Sequence, residues 1–194
     1  MKDTWKKWIG FVVMVAVAAS LVALAGCSSP ANNGSSSAGS EASNSSASMA
    51  NPWSDAASAE EAAKGAGLDA FALPEGEIAD LGKPIEVTYR FMDGMAEARY
   101  EFPASALTVR TAKIAPEDSL DISGDYNTYA NEWTETIANK QIACAGNRKG
   151  ESTKTYWGED DAAHAHSIVA EGLGGDEDFG LNTKRLTVFV EAMK

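Results

Sequence analysis

Ile85-Glu86-Val87-Thr88-Tyr89-Arg90-Phe91 alternates apolar and polar side chains, and Ala96-Glu97-Ala98-Arg99-Tyr100-Glu101-Phe102 repeats the pattern a few residues later. Successive side chains of an extended strand point to opposite sides, so each segment reads as a strand with one buried and one solvated face. Asp93-Gly94 between them supplies the residues that a tight antiparallel turn requires. The two segments therefore predict a β-hairpin, and Leu107-Thr108-Val109-Arg110-Thr111 extends it by a third strand. Pro103 and Pro116 fall in the connections, where a missing N–H costs no ladder bond.

Downstream, residues 128–138 and 140–146 read as two more strands with Asn139-Lys140 near the bend. Residues 154–158 and 163–170 make a further pair around the acidic turn Gly158-Glu159-Asp160-Asp161. Upstream, Asn51-Pro52-Trp53 precedes an alanine-rich stretch in which Ser58-Ala59-Glu60-Glu61 has capping-box spacing, which predicts a helix over about 54–64 ended by Gly65 and Gly67. At the far end, Leu186, Val188 and Val190 alternate like a strand, whereas Leu186, Phe189, Val190 and Met193 sit at helical spacing. A helix with Asp176, Glu177 and Asp178 at its positive N-terminal end is the reading adopted. The expected fold is α+β: a curved antiparallel sheet of six or seven strands with an N-terminal and a C-terminal helix, in one domain over residues 51–194.

What precedes that domain is an address. Lys2, Lys6 and Lys7 form a basic n-region, residues 9–24 an apolar run, and Leu24-Ala25-Gly26-Cys27 places small residues before a cysteine. This resembles the bacterial lipoprotein signal, which implies cleavage after residue 26, acylation of Cys27 and retention on the extracytoplasmic face of the cell membrane. One acyl chain anchors marginally and two anchor stably. An apolar run of this length also approaches what spans a bilayer, but the flanking small and serine-rich residues suit a cleavage site. Residues 28–50 are almost entirely Ser, Ala, Asn and Gly, with Pro30, Met49 and one charge, Glu41, and read as a flexible tether with a reach of roughly 25–30 Å.

The 194-residue chain carries 16 basic and 28 acidic side chains; three lysines and one aspartate lie before Cys27, so the remainder has a formal charge of -14. Nucleic-acid binding requires basic side chains against phosphates and is not expected here. With Cys27 acylated, Cys144 is the one remaining cysteine, and its place in Ile142-Ala143-Cys144-Ala145 marks a small buried hydrophobe rather than a reactive thiol.

Asn51-Pro52-Trp53 with its alanine-rich helix, Tyr89-Arg90-Phe91-Met92-Asp93-Gly94-Met95-Ala96-Glu97-Ala98, and Asp121-Ile122-Ser123-Gly124-Asp125-Tyr126 together resemble bacterial lipoproteins that carry a C-terminal domain of unknown function, a domain that also closes some anti-sigma-factor-like proteins. The resemblance spans residues 51–194. It implies an α+β domain with a curved antiparallel sheet and a C-terminal helix, and it supplies no catalytic residues.

Sites of chemistry are sparse. His164 and His166 are the only histidines and, two apart on a strand, share a face. With Glu159, Asp160 or Asp161 they are candidate ligands for zinc or a similar ion. The plainer reading is half-exposed histidines on an edge strand, and no metal or cofactor is expected. Asp118, Asp121 and Asp125 offer oxygen ligands without EF-hand spacing and suit a structural loop. No Gly-x-Ser-x-Gly elbow or phosphate-binding glycine loop is present. Trp133, Trp157 and Tyr156, on strands near a sheet rim, are candidates to line a groove for a peptide, glycan or acyl chain. The functional expectation is a noncatalytic binding or interaction module at the cell envelope, anchored in the bilayer through Cys27, with an envelope ligand or protein as partner. A structural or sensory envelope module is the alternative, and a His-dependent metalloenzyme a third.

Overall fold

The computed structural model describes residues 51–159, 163–173 and 179–193. The apolar run, Cys27 and the tether lie outside the described residues, as do Asp160, Asp161 and Asp176 to Asp178.

Eight strands form one open antiparallel sheet: β1 (Ser54–Ala56), β2 (Glu86–Met92), β3 (Met95–Phe102), β4 (Ser105–Lys113), β5 (Asn131–Ile137), β6 (Lys140–Gly146), β7 (Lys154–Gly158) and β8 (His164–Gly172). Their spatial order is β1-β2-β3-β4-β8-β7-β6-β5. Two meanders thus meet at the β4–β8 pair, and the connection 114–130 carries the chain from the middle of the sheet to its far edge. Two helices, α1 (Ala59–Ala66) and α2 (Thr183–Ala192), complete the α+β architecture.

The hairpin that opens the sheet follows from its turn. Gly94 takes a φ of 74°, and Met92 faces Met95 across the bend. From that closing pair every residue of β2 has its partner fixed: Tyr89 opposite Ala98, Val87 opposite Tyr100, Arg90 opposite Glu97. One face of the sheet therefore collects Ala98, Tyr100, Leu107, Val109, Ile142, Cys144 and Ile168, all buried. The helices cover this face. Phe189 of α2 meets Tyr100 edge-on, with ring centroids 5.6 Å apart, and both are buried with Leu186 and Val190.

Four sequence expectations are corrected. The stretch from Ser54 begins as strand β1, paired with β2, because the capping box starts the helix rather than lying inside it. Ser58 Oγ accepts from the Glu61 N–H at 3.2 Å and Glu61 Oε2 accepts from the Ala57 N–H at 2.8 Å, so the first helical residue is Ala59. β1 also raises the strand count to eight. The second hairpin bends at Ala138-Asn139, both at positive φ (49° and 67°), and not at Asn139-Lys140. Finally, α2 has no acidic residue in its first turn: Asn182 caps it, accepting from the Arg185 N–H at 3.0 Å.

Candidate functional site

The side chains that alternate away from the helices make a polar face, and its centre is an ionic row running across three strands. Register aligns Arg90 of β2, Glu97 of β3 and Arg110 of β4. Glu97 is 3% exposed, with Oε1 accepting from Arg90 Nε at 2.6 Å and Oε2 from Arg110 Nε at 2.7 Å. The indole of Trp53 lies over both cations, 4.4 Å from the Arg90 guanidinium carbon and 5.6 Å from that of Arg110. Charge-assisted bonds of this kind are short and strong, and a ring face adds cation–π attraction.

Connection 114–130 crosses the same face and is tied down by cations. Arg110 donates to the carbonyl oxygens of Ile122 and Ser123, while Lys154 Nζ donates to Asp121 Oδ2 and to the Asp125 carbonyl, both at 3.0 Å. The three aspartates are thereby accounted for within the protein. Asp118 accepts from the Ala115 N–H at 2.8 Å, Asp121 from the Ser123 N–H at 3.1 Å, and Asp125 from the Asn127 N–H at 2.9 Å and the Tyr129 hydroxyl. A connection this long in a compact domain is ordinarily either functional or unstructured; here side-chain-to-backbone bonds order it over the sheet.

On either side of this cover the polar face is hollow. A cavity of about 530 Å³ beside β1 and β2 is bordered by Asp55, Thr88, Arg90, Arg99 and Thr108. A second, of about 310 Å³, lies over β5–β7 against Thr134, Ala143, Lys154 and Tyr156. On the core side of β2 a third, of about 580 Å³, opens between the strand and segment 71–76, with Phe71, Leu73, Pro74 and Tyr100 as walls.

The three candidate groove aromatics do not come together. Tyr156 borders the 310 Å³ cavity on the polar face. Trp157, the next residue, points the opposite way and is 1% exposed. Trp133 borders the cavity too, but its cross-strand partner is the core residue Cys144 and its indole Nε1 donates to Glu135 at 2.9 Å. Period-two alternation separates neighbours that sequence proximity had joined.

His166 is not a half-exposed edge residue. β8 is flanked by β4 and β7, and His166 is 4% exposed, stacked on Trp157 with centroids 5.2 Å apart. Its Nδ1 lies 2.9 Å from Thr111 Oγ1. Nε2 is 3.0 Å from Glu159 Oε1, in electrostatic contact but not aligned as a hydrogen bond. Lys140 Nζ donates to the same carboxylate oxygen. Burial pushes the imidazole pKa down to about 4; Glu159 opposes that shift and Lys140 adds to it. The ammonium of Lys140 thus already pairs with Glu159, the one of the three candidate carboxylate ligands that lies among the described residues. Among the described residues no three His, Cys, Asp or Glu side chains are grouped so as to hold a metal ion. Cys144 is buried, its Sγ 3.7 Å from the Ile142 carbonyl, and burial pushes its pKa up to about 12.

The ionic row escaped sequence reading, although its signal was present: a two-residue turn at Asp93-Gly94 pairs residue 92 with 95, and hence Arg90 with Glu97. No protein-family model matches the chain, and no curated protein or solved structure matches it either.

Proposed function

We propose that the protein is a lipid-anchored extracytoplasmic lipoprotein whose folded part is a noncatalytic binding module at the cell envelope. Cys27 would hold it in the membrane, and residues 28–50 would extend the domain toward its ligand. The observation that carries the binding reading is the asymmetry of the sheet. Both helices pack on one face, whereas the other presents a rigid ionic row between two cavities. A buried carboxylate held by two guanidinium groups ties together β2, β3 and β4, which border the 530 Å³ cavity, and a surface preformed in this way avoids ordering costs on binding. A His-dependent metal site has less support, since the imidazole of His166 is already engaged by Thr111, Trp157 and Glu159.

The test is photo-crosslinking in intact cells with benzoylphenylalanine placed at Thr88, at Thr134, or at the helix-surface control Glu60. A discrete adduct from Thr88 or Thr134 and none from Glu60 is expected. Equal labelling at all three, or at none, would refute a ligand-binding face.

A further inference from the structure

β1 covers only part of its neighbour. Its residues pair with Phe91, Arg90 and Tyr89 of β2, after which the chain leaves the sheet and Ser58 caps α1. The closing pair of a two-residue hairpin is hydrogen-bonded, and bonded and non-bonded pairs alternate along an antiparallel ladder. With Met92 opposite Met95, the even-numbered residues of β2 therefore bond to β3, and the odd-numbered ones turn N–H and C=O to the outer edge. Ser54 and Ala56 meet Phe91 and Tyr89 there. The next outward pair belongs to Val87, which no strand among the described residues reaches.

This open position is hollow on both flanks. Val87 and Tyr89 border the 580 Å³ cavity on the core side and also the 530 Å³ cavity on the polar side. An added strand sends successive side chains alternately to the two faces of a sheet, so one open backbone position between two cavities has the layout that strand addition uses. The core-side cavity offers Phe71, Leu73, Pro74 and Tyr100 as apolar surface, with Glu75, Lys83 and Glu86 also on its border, and Ile85, 71% exposed, extends the apolar part outward. On the polar side Arg90 is committed to Glu97, and Arg99 to Glu101 and Glu171. Asp55, which borders that cavity, and Glu86, which strand alternation puts on the same side although it also borders the core-side cavity, are exposed and have no ion pair among the described residues. Lys83, which borders the core-side cavity, is an unpaired cation among the described residues, but Glu75, Glu86 and Asp55 outnumber it, so the uncompensated charge at the edge is negative.

We propose that the outer edge of β2 at Val87 binds an extended peptide by antiparallel strand addition, the peptide alternating apolar residues, which enter the core-side cavity, with basic residues that face Glu86 and Asp55. This rests on reading the domain as a binding module. At the opposite edge of the sheet α2 packs on β5, with Thr183 Oγ1 donating to Glu135 at 2.8 Å, where the β2 edge has a cavity. The chain's own residues 28–50 contain no Lys or Arg, and a second copy would bring the same two carboxylates against themselves.

The experiment is fluorescence anisotropy of the full chain in a neutral detergent with three labelled, capped peptides: Lys-Val-Lys-Ile-Lys-Val, its analogue with Glu for each Lys, and the basic peptide N-methylated throughout. The basic peptide should bind, and the other two should bind at least about tenfold more weakly. Val87→Pro should lower affinity by a similar factor at an unchanged thermal midpoint. If that variant does not fold, the N-methylated peptide on the unaltered protein decides. Equal binding of basic and N-methylated peptides would show charge adsorption and overturn strand addition, as would no binding, or a β2-mediated dimer in place of peptide binding. Crosslinking from Thr134 without peptide binding would sink this proposal and leave the binding-module reading standing.

Discussion

Glu97 is a full charge with 3% exposure, tolerated because both of its oxygens accept from guanidinium groups. Removing one partner of a buried ionic group costs more than forming the group gained, since the remaining charges stay desolvated. Glu97→Gln should therefore destabilise the domain by about 3 kcal/mol, read as a lowered urea midpoint with an unchanged slope. His166 makes the complementary case for a group kept neutral. Its folded pKa of about 4 lies below the ordinary histidine value of 6.5, so as pH falls the unfolded chain takes up that proton first. Its contribution to stability is complete above about 6.5 and is lost as pH drops toward 4. Carboxylates titrate over the lower part of the same window. The relevant measurement is therefore the difference between parent and His166→Gln: the thermal midpoint of the parent should fall more steeply from pH 6.5 to 4. Parallel curves would refute the assignment. That the two histidines share a strand was legible from their spacing. That Lys140 and Glu159 close over His166 was not, because the β6–β7–β8 pairing that gathers them depends on contacts distant in sequence.

Among the elements, two small residues invert their usual roles. Glycine inside a helix normally costs up to about 1 kcal/mol relative to alanine, yet a Cβ on Gly65 of α1 would lie 2.4 Å from the ring of Phe91. The close approach of α1 to β2 uses that missing methyl, so Gly65→Ala should destabilise, by about 1–3 kcal/mol for overpacking. Ala138 is the reverse: it holds a φ of 49° at the tip of the β5–β6 hairpin, a conformation glycine adopts without steric cost. Ala138→Gly should stabilise by about 0.5–1 kcal/mol after the added freedom of the unfolded chain is offset. Chemical denaturation of both variants checks the pair, and the same sign for both would refute the backbone argument. These elements also show where sequence is informative. Alternation and the Asp93-Gly94 turn located β2, β3 and β4, and the Ser58–Glu61 box located the start of α1. β1 was hidden because three residues are too few for a period, and alanine, which fits a helix, also fits an edge. The polar-face cavities were hidden because they arise from register between strands, a property no single segment carries.

At the scale of the whole molecule, charge and the proposed attachment would act against each other. Neither α1 nor α2 is long and apolar enough to cross a membrane, and the chain beyond residue 26 carries a formal charge of -14, which an anionic bilayer repels. That repulsion is screened over about 10 Å at 0.1 M salt, less than the roughly 25–30 Å that residues 28–50 would reach as the proposed tether. Under the proposed anchoring, a domain so tethered would work beside a membrane to which its surface has no affinity, provided that the anchor alone supplied retention. The proposed acyl chains on Cys27 would meet that condition: each buried methylene contributes about 0.8 kcal/mol, and two chains make an attachment stable. Protein extracted from membranes should therefore lack residues 1–26 by intact mass and carry at least two acyl chains on its N-terminal peptide, and it should return to anionic vesicles equally at low and high salt. A mass that retains Met1 with Cys27 unmodified would instead make residues 9–24 the anchor, and salt-dependent return would mean that the domain itself contacts lipid.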